Sequence, residues 1–489
     1  MTADESMTRK DYKLAAAEAL QKRLPSPPAR VLMLGDGGDT FLQQLHAQGY
    51  QVVAPAFRQS KNYAQHPTET RRGIYQVDLD LAPEVAATFD AAIVWDFSPD
   101  VHPLALFDQL TVWLAPDAVV YVAGARVLDL PPIMQHWLQY VGAIGARCGF
   151  IEQVLDAGVS VSGADYFFHS YRKAAPPRWQ LRHVRPSDFQ EIATLFHEVF
   201  GHTLSQELWM WKYGQGRGNS VLAERNGRLI AHYGGMYRDV LLFGRPDWVV
   251  QIGDVMVHPQ ERGVMTRQGP FFLTAATFAE LYVPLGYGFP NSRAMAVAKK
   301  MGLYSEVGQM TEVRWQPASS RARLRTRVKH LKQGDASNRI QIDDLWASMA
   351  QDLRLSVACI RDGPYLDWRY FSHPHNHYEV MLVTARITGR PLGVVVLRRM
   401  ESSCELMDVI GPLTNLPLLI DQARRLTGLW GLPYLYCWIT KNHAQRFLDC
   451  DGQEEPLSVS IPASCWIDDP RGVSVKDKWW LMSGDTDFR

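Results

Sequence analysis

Apolar and polar positions repeat with two different periods along this chain, and one stretch combines both. Residues 251–257, QIGDVMV, form an apolar-rich run with a single carboxylate, Asp254, inside it, which predicts a buried strand. Pro259 ends that strand, because proline has no N–H to give to a ladder. Arg262 and Gly263 follow as a basic, glycine-containing turn, and residues 271–281 repeat apolar side chains at helical spacing. Strand, turn and helix in this order leave unpaired backbone N–H groups at the helix start, an arrangement that attracts a pyrophosphate. A second strand is expected at 287–289 and a second helix at 293–301, with Asn291 near its start.

The N-terminal third alternates differently. An amphipathic helix over 11–24 ends at Pro25-Ser26-Pro27-Pro28. Strands are expected at 29–34, 51–54, 91–95 and 118–123, with helices at 40–48 and 104–114 between them. Alternating strands and helices predict a parallel sheet covered on both faces. The glycine-rich turn Gly35-Asp36-Gly37-Gly38 after the first strand places a ligand site at the carboxyl edge of that sheet. A linker at 174–177 separates this part from a strand at 179–184 and a helix at 189–200 capped by Ser187. Hairpins follow at 220–224/228–236, around Asn226-Gly227, and at 240–243/248–257. Beyond a basic segment, a helix at 343–353, a hairpin at 378–386/392–400, a strand at 404–410, a helix at 417–426, a strand at 434–439 and a helix at 442–448 repeat the earlier order. The expected domains are therefore 1–175, 176–318 and 341–489, with 319–340 as a basic linker.

Composition narrows the function. A chain of 489 residues exceeds one ordinary core and predicts about three domains. Lys+Arg and Asp+Glu are both 51, so net charge gives no argument for nucleic acid or an anionic membrane. There is no apolar run of spanning length, and the first 20 residues lack a secretory apolar core. The six cysteines are scattered without a Cys-x-x-Cys pair, which reads as reduced thiols of a cytoplasmic protein. His373-Pro374-His375-Asn376-His377 has no flanking carboxylate and is read as a loop without metal.

Val257-His258-Pro259-Gln260-Glu261-Arg262-Gly263 resembles the strand end and pyrophosphate turn of the GNAT acyltransferases. Asn291-x-x-Ala294 followed by Met301-Gly302-Leu303 resembles that family's later helix. The resemblance runs from about 179 to 316. It implies acetyl-coenzyme A, or another acyl-coenzyme A, as cofactor, held by Val255, Val257, Arg262, Gly263, Gly269 and Asn291. It departs where Met265 and Arg267 occupy positions the family gives to small residues, and where Ala298 stands at the family's usual tyrosine. Leu366-Asp367-Trp368-Arg369-Tyr370 and the Trp479-Trp480…Gly484-Asp485-Thr486-Asp487 ending resemble bacterial proteins with two GNAT-like folds in tandem. No Arg-x-x-Gly turn follows Asp408, so the second copy is expected to shape the substrate cleft and not to bind coenzyme A.

Val31-Leu32-Met33-Leu34-Gly35-Asp36-Gly37-Gly38, the run FDAAIVWD at 89–96 and Gly149-Phe150 resemble the class I S-adenosylmethionine methyltransferases. This implies an N-terminal Rossmann-like, doubly wound sheet, with S-adenosylmethionine as a second candidate cofactor at Gly35, Asp36, Gly37 and Asp78. Met33, Asp39 and Pro55-Ala56 depart from that pattern; the last pair replaces the acid expected to bind the ribose hydroxyls. The fold class is thus α/β, a Rossmann-like domain followed by two GNAT-like α+β folds.

Acyl transfer to an amine needs a proton acceptor, an oxyanion donor and a proton for the departing thiolate. Asp254 is the candidate base, with a pKa expected to be raised by an apolar cleft. A pairing role with a basic residue stands beside that reading. Tyr304 is the candidate proton donor, against a structural role, and His232 and Tyr233 are expected to line the substrate cleft. Three functions compete: an N-acyltransferase, in particular an N-acetyltransferase, acting on a small-molecule amine; a methyltransferase whose GNAT-like half binds substrate; and a non-catalytic scaffold. Neither nucleic acid nor a membrane is expected as partner.

Overall fold

The computed structural model describes residues 17–35, 39–54, 88–95, 102–125, 132–153, 166–264, 266–282, 285–319, 325–467, 472–486 and 488. The first part contains β1 (Arg30–Leu34), α1 (Asp39–Ala47), β2 (Gln51–Val53), β3 (Phe89–Trp95), α2 (Pro103–Trp113), β4 (Leu114–Ala125), α3 (Pro132–Arg147), β5 (Phe150–Gln153) and β6 (Tyr166–Lys173). The strands form one sheet in the order β2-β1-β3-β4-β6-β5. β1, β2, β3 and β4 are parallel, as the helix–strand alternation predicts, while β6 runs antiparallel to both β4 and β5. Gly35 ends β1 with φ +95°, and a Cβ there would lie 1.9 Å from the Trp95 carbonyl oxygen at the end of β3. A glycine is required by that close approach alone. Asp36, Gly37 and Asp78 lie outside the described residues, as do Pro55, Ala56 and Met265.

The central part contains β7 (Gln180–His183), α4 (Phe189–Phe200), α5 (Gln206–Tyr213), β8 (Gly218–Arg225), β9 (Arg228–Leu242), β10 (Arg245–Val257), α6 (Pro270–Tyr282), β11 (Gly286–Tyr287), α7 (Ser292–Lys300) and β12 (Tyr304–Trp315). Two expectations change here. β9 is one strand of 15 residues that serves both hairpins, and the second turn is the pair Phe243-Gly244 between β9 and β10. Ser187 does not cap α4: Asp188 Oδ2 instead accepts the Arg185 N–H at 2.6 Å and pairs with Arg182.

The last part contains β13 (Thr326–His330), α8 (Ala336–Asp352), β14 (Val357–Cys359), β15 (Glu379–Ala385), β16 (Pro391–Arg399), β17 (Cys404–Ile410), α9 (Leu416–Leu429), β18 (Leu435–Thr440), β19 (Gln453–Ser464) and β20 (Trp479–Trp480). Its sheet runs β13-β15-β16-β17-β18-β12-β19, so β12, from the central part, sits between two strands of the last. In return β14 pairs with β9 and β20 with β14, extending the central sheet. Strands are exchanged in both directions. The segment expected as a basic linker supplies β13, an edge strand paired with β15; Arg321 and Arg323 lie outside the described residues.

Two further contacts join the parts. α6 has no polar face in its sequence, and all but two of its residues are buried, because the sheet covers one side and the N-terminal part the other. Its one charged residue, Glu280, meets Arg147 of α3 at 2.9 Å and the Trp466 indole N–H at 2.8 Å. His102 Nε2 bonds the Tyr282 hydroxyl at 2.7 Å, and its ring lies 4.9 Å from that of His183. On the other side, the two motifs singled out near the C-terminus close on each other. Arg369 donates to the carbonyls of Gly484 and Thr486, and Arg361 bridges Asp408 and Asp485 at 2.6 Å each. Tyr365 and Tyr370 both donate to Asp408. No helix among the described residues is long and apolar enough to cross a membrane.

Candidate active site

β10 is interrupted where the site forms. Its ladder with β9 runs to Gly253↔Gly234 and resumes at Met256↔His232, leaving Asp254 and Val255 as a bulge. Asp254 has φ +50°, uncommon for a residue with a side chain. On its other edge β10 pairs with β11 only at Val250↔Gly286 and Gln251↔Tyr287. Beyond these two pairs the strands part, and a fork opens. Val255 and Val257 lie half-buried on the β10 prong, and the Val257 carbonyl accepts from Arg262 Nε at 2.9 Å.

Side chains alternate faces along β9, and the fork is flanked accordingly. On one face the Asp254 carboxylate is held by Lys212 Nζ, at 2.9 and 3.0 Å from its two oxygens, and by the Tyr213 hydroxyl at 2.7 Å. His232 Nδ1 lies 2.7 Å from the Asp254 carbonyl oxygen. A carbonyl only accepts, so Nδ1 carries the proton and Nε2 keeps its lone pair. Among the described residues Nε2 is buried without a hydrogen-bond partner, and so is the Ser220 Oγ nearby in the same sheet.

The expected rise in the Asp254 pKa is corrected by this geometry. Burial alone pushes the carboxyl up, but the Lys212 ammonium and the hydrogen bonds from Lys212 and the Tyr213 hydroxyl bring it below the ordinary carboxylate value. His232 moves the opposite way: burial outweighs the Asp254 charge and keeps the ring neutral. Lys212 and Tyr213 were not read as functional from the sequence. The available signal was a lysine inside the aromatic run LWMWKY, where a buried ammonium persists only if paired.

On the other face Tyr233 meets Tyr304, hydroxyl to hydroxyl. Burial pushes the Tyr304 phenol up to about 12 despite the Tyr233 hydrogen bond, so it stays protonated. Asn291 caps α7, its Oδ1 accepting the Ala294 N–H at 2.9 Å. In the turn before α6, Gly263 has open space around it, whereas a Cβ at Gly269 would lie 2.0 Å from the Val264 carbonyl oxygen. Gly269, not Gly263, is the glycine this turn requires. Arg262 and Arg267 are exposed there, and the Arg267 guanidinium stands over the rings of Phe272 and Trp466 at 5.8 and 5.6 Å.

The structure thus gathers Asp254, Val255, Val257, Tyr304 and the 262–269 turn around one fork. Gly35 belongs to the N-terminal sheet and is not part of it. His375 Nε2 contacts Ser205 Oγ at 2.7 Å and His373 packs on Trp211. No group of three or more His, Cys, Asp or Glu side chains among the described residues is placed to hold a metal ion.

Residues 180–305 match the sequence model of the family described as Acetyltransferase (GNAT) domain. That span covers the fork, the turn and α7. No curated protein matches the chain. Among solved structures, a probable N-acyltransferase from Enterococcus faecalis is similar at 15% identity and a TM-score of 0.45, over 58% of this chain and 72% of that one. A GCN5-related N-acetyltransferase from Anabaena variabilis is similar at 11% identity and a TM-score of 0.46, over 59% and 73%. N-myristoyltransferase from Saccharomyces cerevisiae, solved with myristoyl-CoA, is similar at 11% identity and a TM-score of 0.40, over 62% and 85%.

Proposed function

We propose that this protein is an N-acyltransferase that moves an acyl group from acyl-coenzyme A to the amine of a small molecule. The observation that carries the reading is the fork between β10 and β11 inside the matched span, with a bulge on one prong and a helix start at its mouth. The turn before α6 and the exposed Arg262 and Arg267 would receive the pyrophosphate. The free prong from Asp254 to Val257 would receive the pantetheine arm and, through the bulge N–H groups, the thioester carbonyl.

In this reading the proton leaves the acceptor amine for His232 Nε2, which keeps its lone pair while Nδ1 donates to the Asp254 carbonyl. Asp254 fixes the His232 tautomer through its carbonyl, and its carboxylate, charged together with Lys212, holds the bulge in place. Tyr304 donates a hydrogen bond to the departing sulfur; with a pKa of about 12 it is a donor of hydrogen bonds more than of protons.

Calorimetry with acetyl-coenzyme A and S-adenosylmethionine, separately, tests the function. Heat with the first is expected. Heat with the second alone would favour a methyltransferase, for which the N-terminal strand order and its antiparallel β6 are the supporting observation. Heat with neither would favour a scaffold. His232→Gln is expected to slow thiol release with any accepted amine by roughly 10²–10⁴-fold while coenzyme A affinity holds; unchanged rates would remove His232 as base. Gly269→Ala is expected to weaken coenzyme A binding roughly tenfold, because the added Cβ meets the Val264 carbonyl and shifts the turn at a cost of about 1–3 kcal/mol. Gly263→Ala should leave it within about twofold, since its surroundings are open. Equal effects at the two glycines would place the phosphate elsewhere.

A further inference from the structure

Arg267 lies exposed in the turn between β10 and α6. Among the described residues its guanidinium meets aromatic rings and no carboxylate: the Phe272 ring of α6 at 5.8 Å and the Trp466 ring at 5.6 Å. These rings meet each other edge to face, 5.0 Å apart. Gly302, just past α7, borders the same guanidinium, since a Cβ there would lie 3.3 Å from Arg267 Nη2. A cation over a ring face is attracted by the ring's quadrupole, and the flat guanidinium stacks there as an ammonium does not.

Trp466 reaches the turn from the last part of the chain, and both its backbone and its indole are tied down. The residue before it, Cys465, donates its N–H to the Leu303 carbonyl at 2.9 Å, next to the Tyr304↔Ser464 pair of the β12–β19 ladder. The indole N–H donates to Glu280 Oε1 at 2.8 Å. Glu280 is itself buried, and Arg147 of α3 donates to its carboxylate from both Nη1 and Nη2. Arg147 Nη1 also donates to Thr277 Oγ1 at 2.8 Å. The N-terminal part thus braces Glu280, Glu280 orients the indole, and the indole stands against Arg267.

An arginine free in solvent loses much of its side-chain freedom when it meets a phosphate. One already stacked has lost part of that freedom beforehand, so the contact forms at less cost. We propose that Trp466 is a positioning residue for the cofactor, holding the Arg267 guanidinium ready for the phosphates of acyl-coenzyme A. The inference rests on the acyl-coenzyme A reading. It gives the last part of the chain a share in cofactor affinity, although the phosphate turn itself belongs to the central part.

The test is calorimetry on the full chain with free coenzyme A. Arg267→Ala is expected to weaken binding roughly tenfold, the usual loss for one charge-assisted hydrogen bond. Trp466→Leu is expected to weaken it roughly threefold to fivefold. The double variant should bind no more weakly than Arg267→Ala alone, because the indole then has no guanidinium to hold. A merely structural Trp466 would instead multiply its own loss onto that of Arg267→Ala, and that result would overturn the inference. Arg267→Lys keeps the charge without the plane and should stay at least threefold weaker than the parent. Parent-like affinity in Arg267→Lys would show that charge suffices without positioning, and would overturn the inference too. Arg267 is exposed, so its variants decide the matter even where Trp466→Leu fails to fold. Parent-like binding by Arg267→Ala would sink the inference and leave the acyl-coenzyme A reading standing. Failure of the parent protein to bind coenzyme A would remove both.

Discussion

Asp485→Ala is expected to destabilise the protein by about 3–5 kcal/mol, the usual penalty for stripping one partner from a buried ion pair. Asp485 is fully buried, accepts from Arg361 at 2.6 Å and from the Met482 N–H at 2.7 Å, and has Arg238 3.8 Å away. Among the described residues, removing it leaves Arg361 with Asp408 as its remaining carboxylate and Arg238 with none in reach. Both guanidiniums are buried. The intact cluster is not itself evidence of a large net gain, because desolvation offsets most of the attraction. It fixes how the C-terminal segment seats between the two exchanged sheets. A urea titration reads the effect as a lower midpoint at constant slope. A loss below about 1 kcal/mol would show that the site hydrates or rearranges at little cost.

The second large effect is expected in acid. His102 and His232 are fully buried and His183 is half-buried; all three are neutral, His183 with its pKa pushed down to about 4 by desolvation and the other two also below the ordinary value for the same reason. In the unfolded chain each titrates near 6.5. The unfolded state therefore binds more protons, and the stability these groups contribute is complete above pH 6.5 and lost as pH falls toward their folded values. Each contributes up to about 1.4 kcal/mol per pH unit between its unfolded and folded values, so the three together set an upper limit of about 4 kcal/mol per unit below pH 6. The raised carboxyls of Asp108, Asp362 and Asp408, pushed up chiefly by burial, act in the opposite direction and offset part of this. Protonating His102 also removes the acceptor that caps α2 at Ala105 and disturbs the bond to Tyr282. Thermal midpoints from pH 7.5 to 5 should fall steeply, and His102→Asn should shallow the slope by about one proton. A flat profile would mean that these rings titrate normally in the folded protein.

How much of this was legible in the sequence depended on the range of the interaction. Local signals worked. The QIGDVMV run, Pro259, the apolar run of α6 and Asn291 near the start of α7 each mark their own segment. The Asn226-Gly227 turn placed its hairpin between β8 and β9. Long-range pairing was hidden. Nothing in the TRVKH of β13 distinguishes a basic linker from an edge strand, because edge strands are themselves rich in lysine and arginine. The two-residue β20 carries no period at all, and its place beside β14 depends on residues more than a hundred positions away. The same limit applied at the site. Asp254 was visible, but the direction of its pKa was set by Lys212, 42 positions earlier on another element. The motifs near the C-terminus were noticed as patterns; their meaning, arginines buried against the last carboxylates, needed three dimensions.

The exchange of strands also bears on how the molecule is made. The sheet that carries the fork ends in β20, at Trp479–Trp480, far along the chain from β10 at Arg245–Val257. A ribosome must therefore release every residue from β10 to β20 before the central sheet has all its neighbours. Folding should lag synthesis, with slow, late docking of the distant segment. Chains interrupted anywhere upstream would carry an unfinished sheet edge and become substrates for chaperones or proteases.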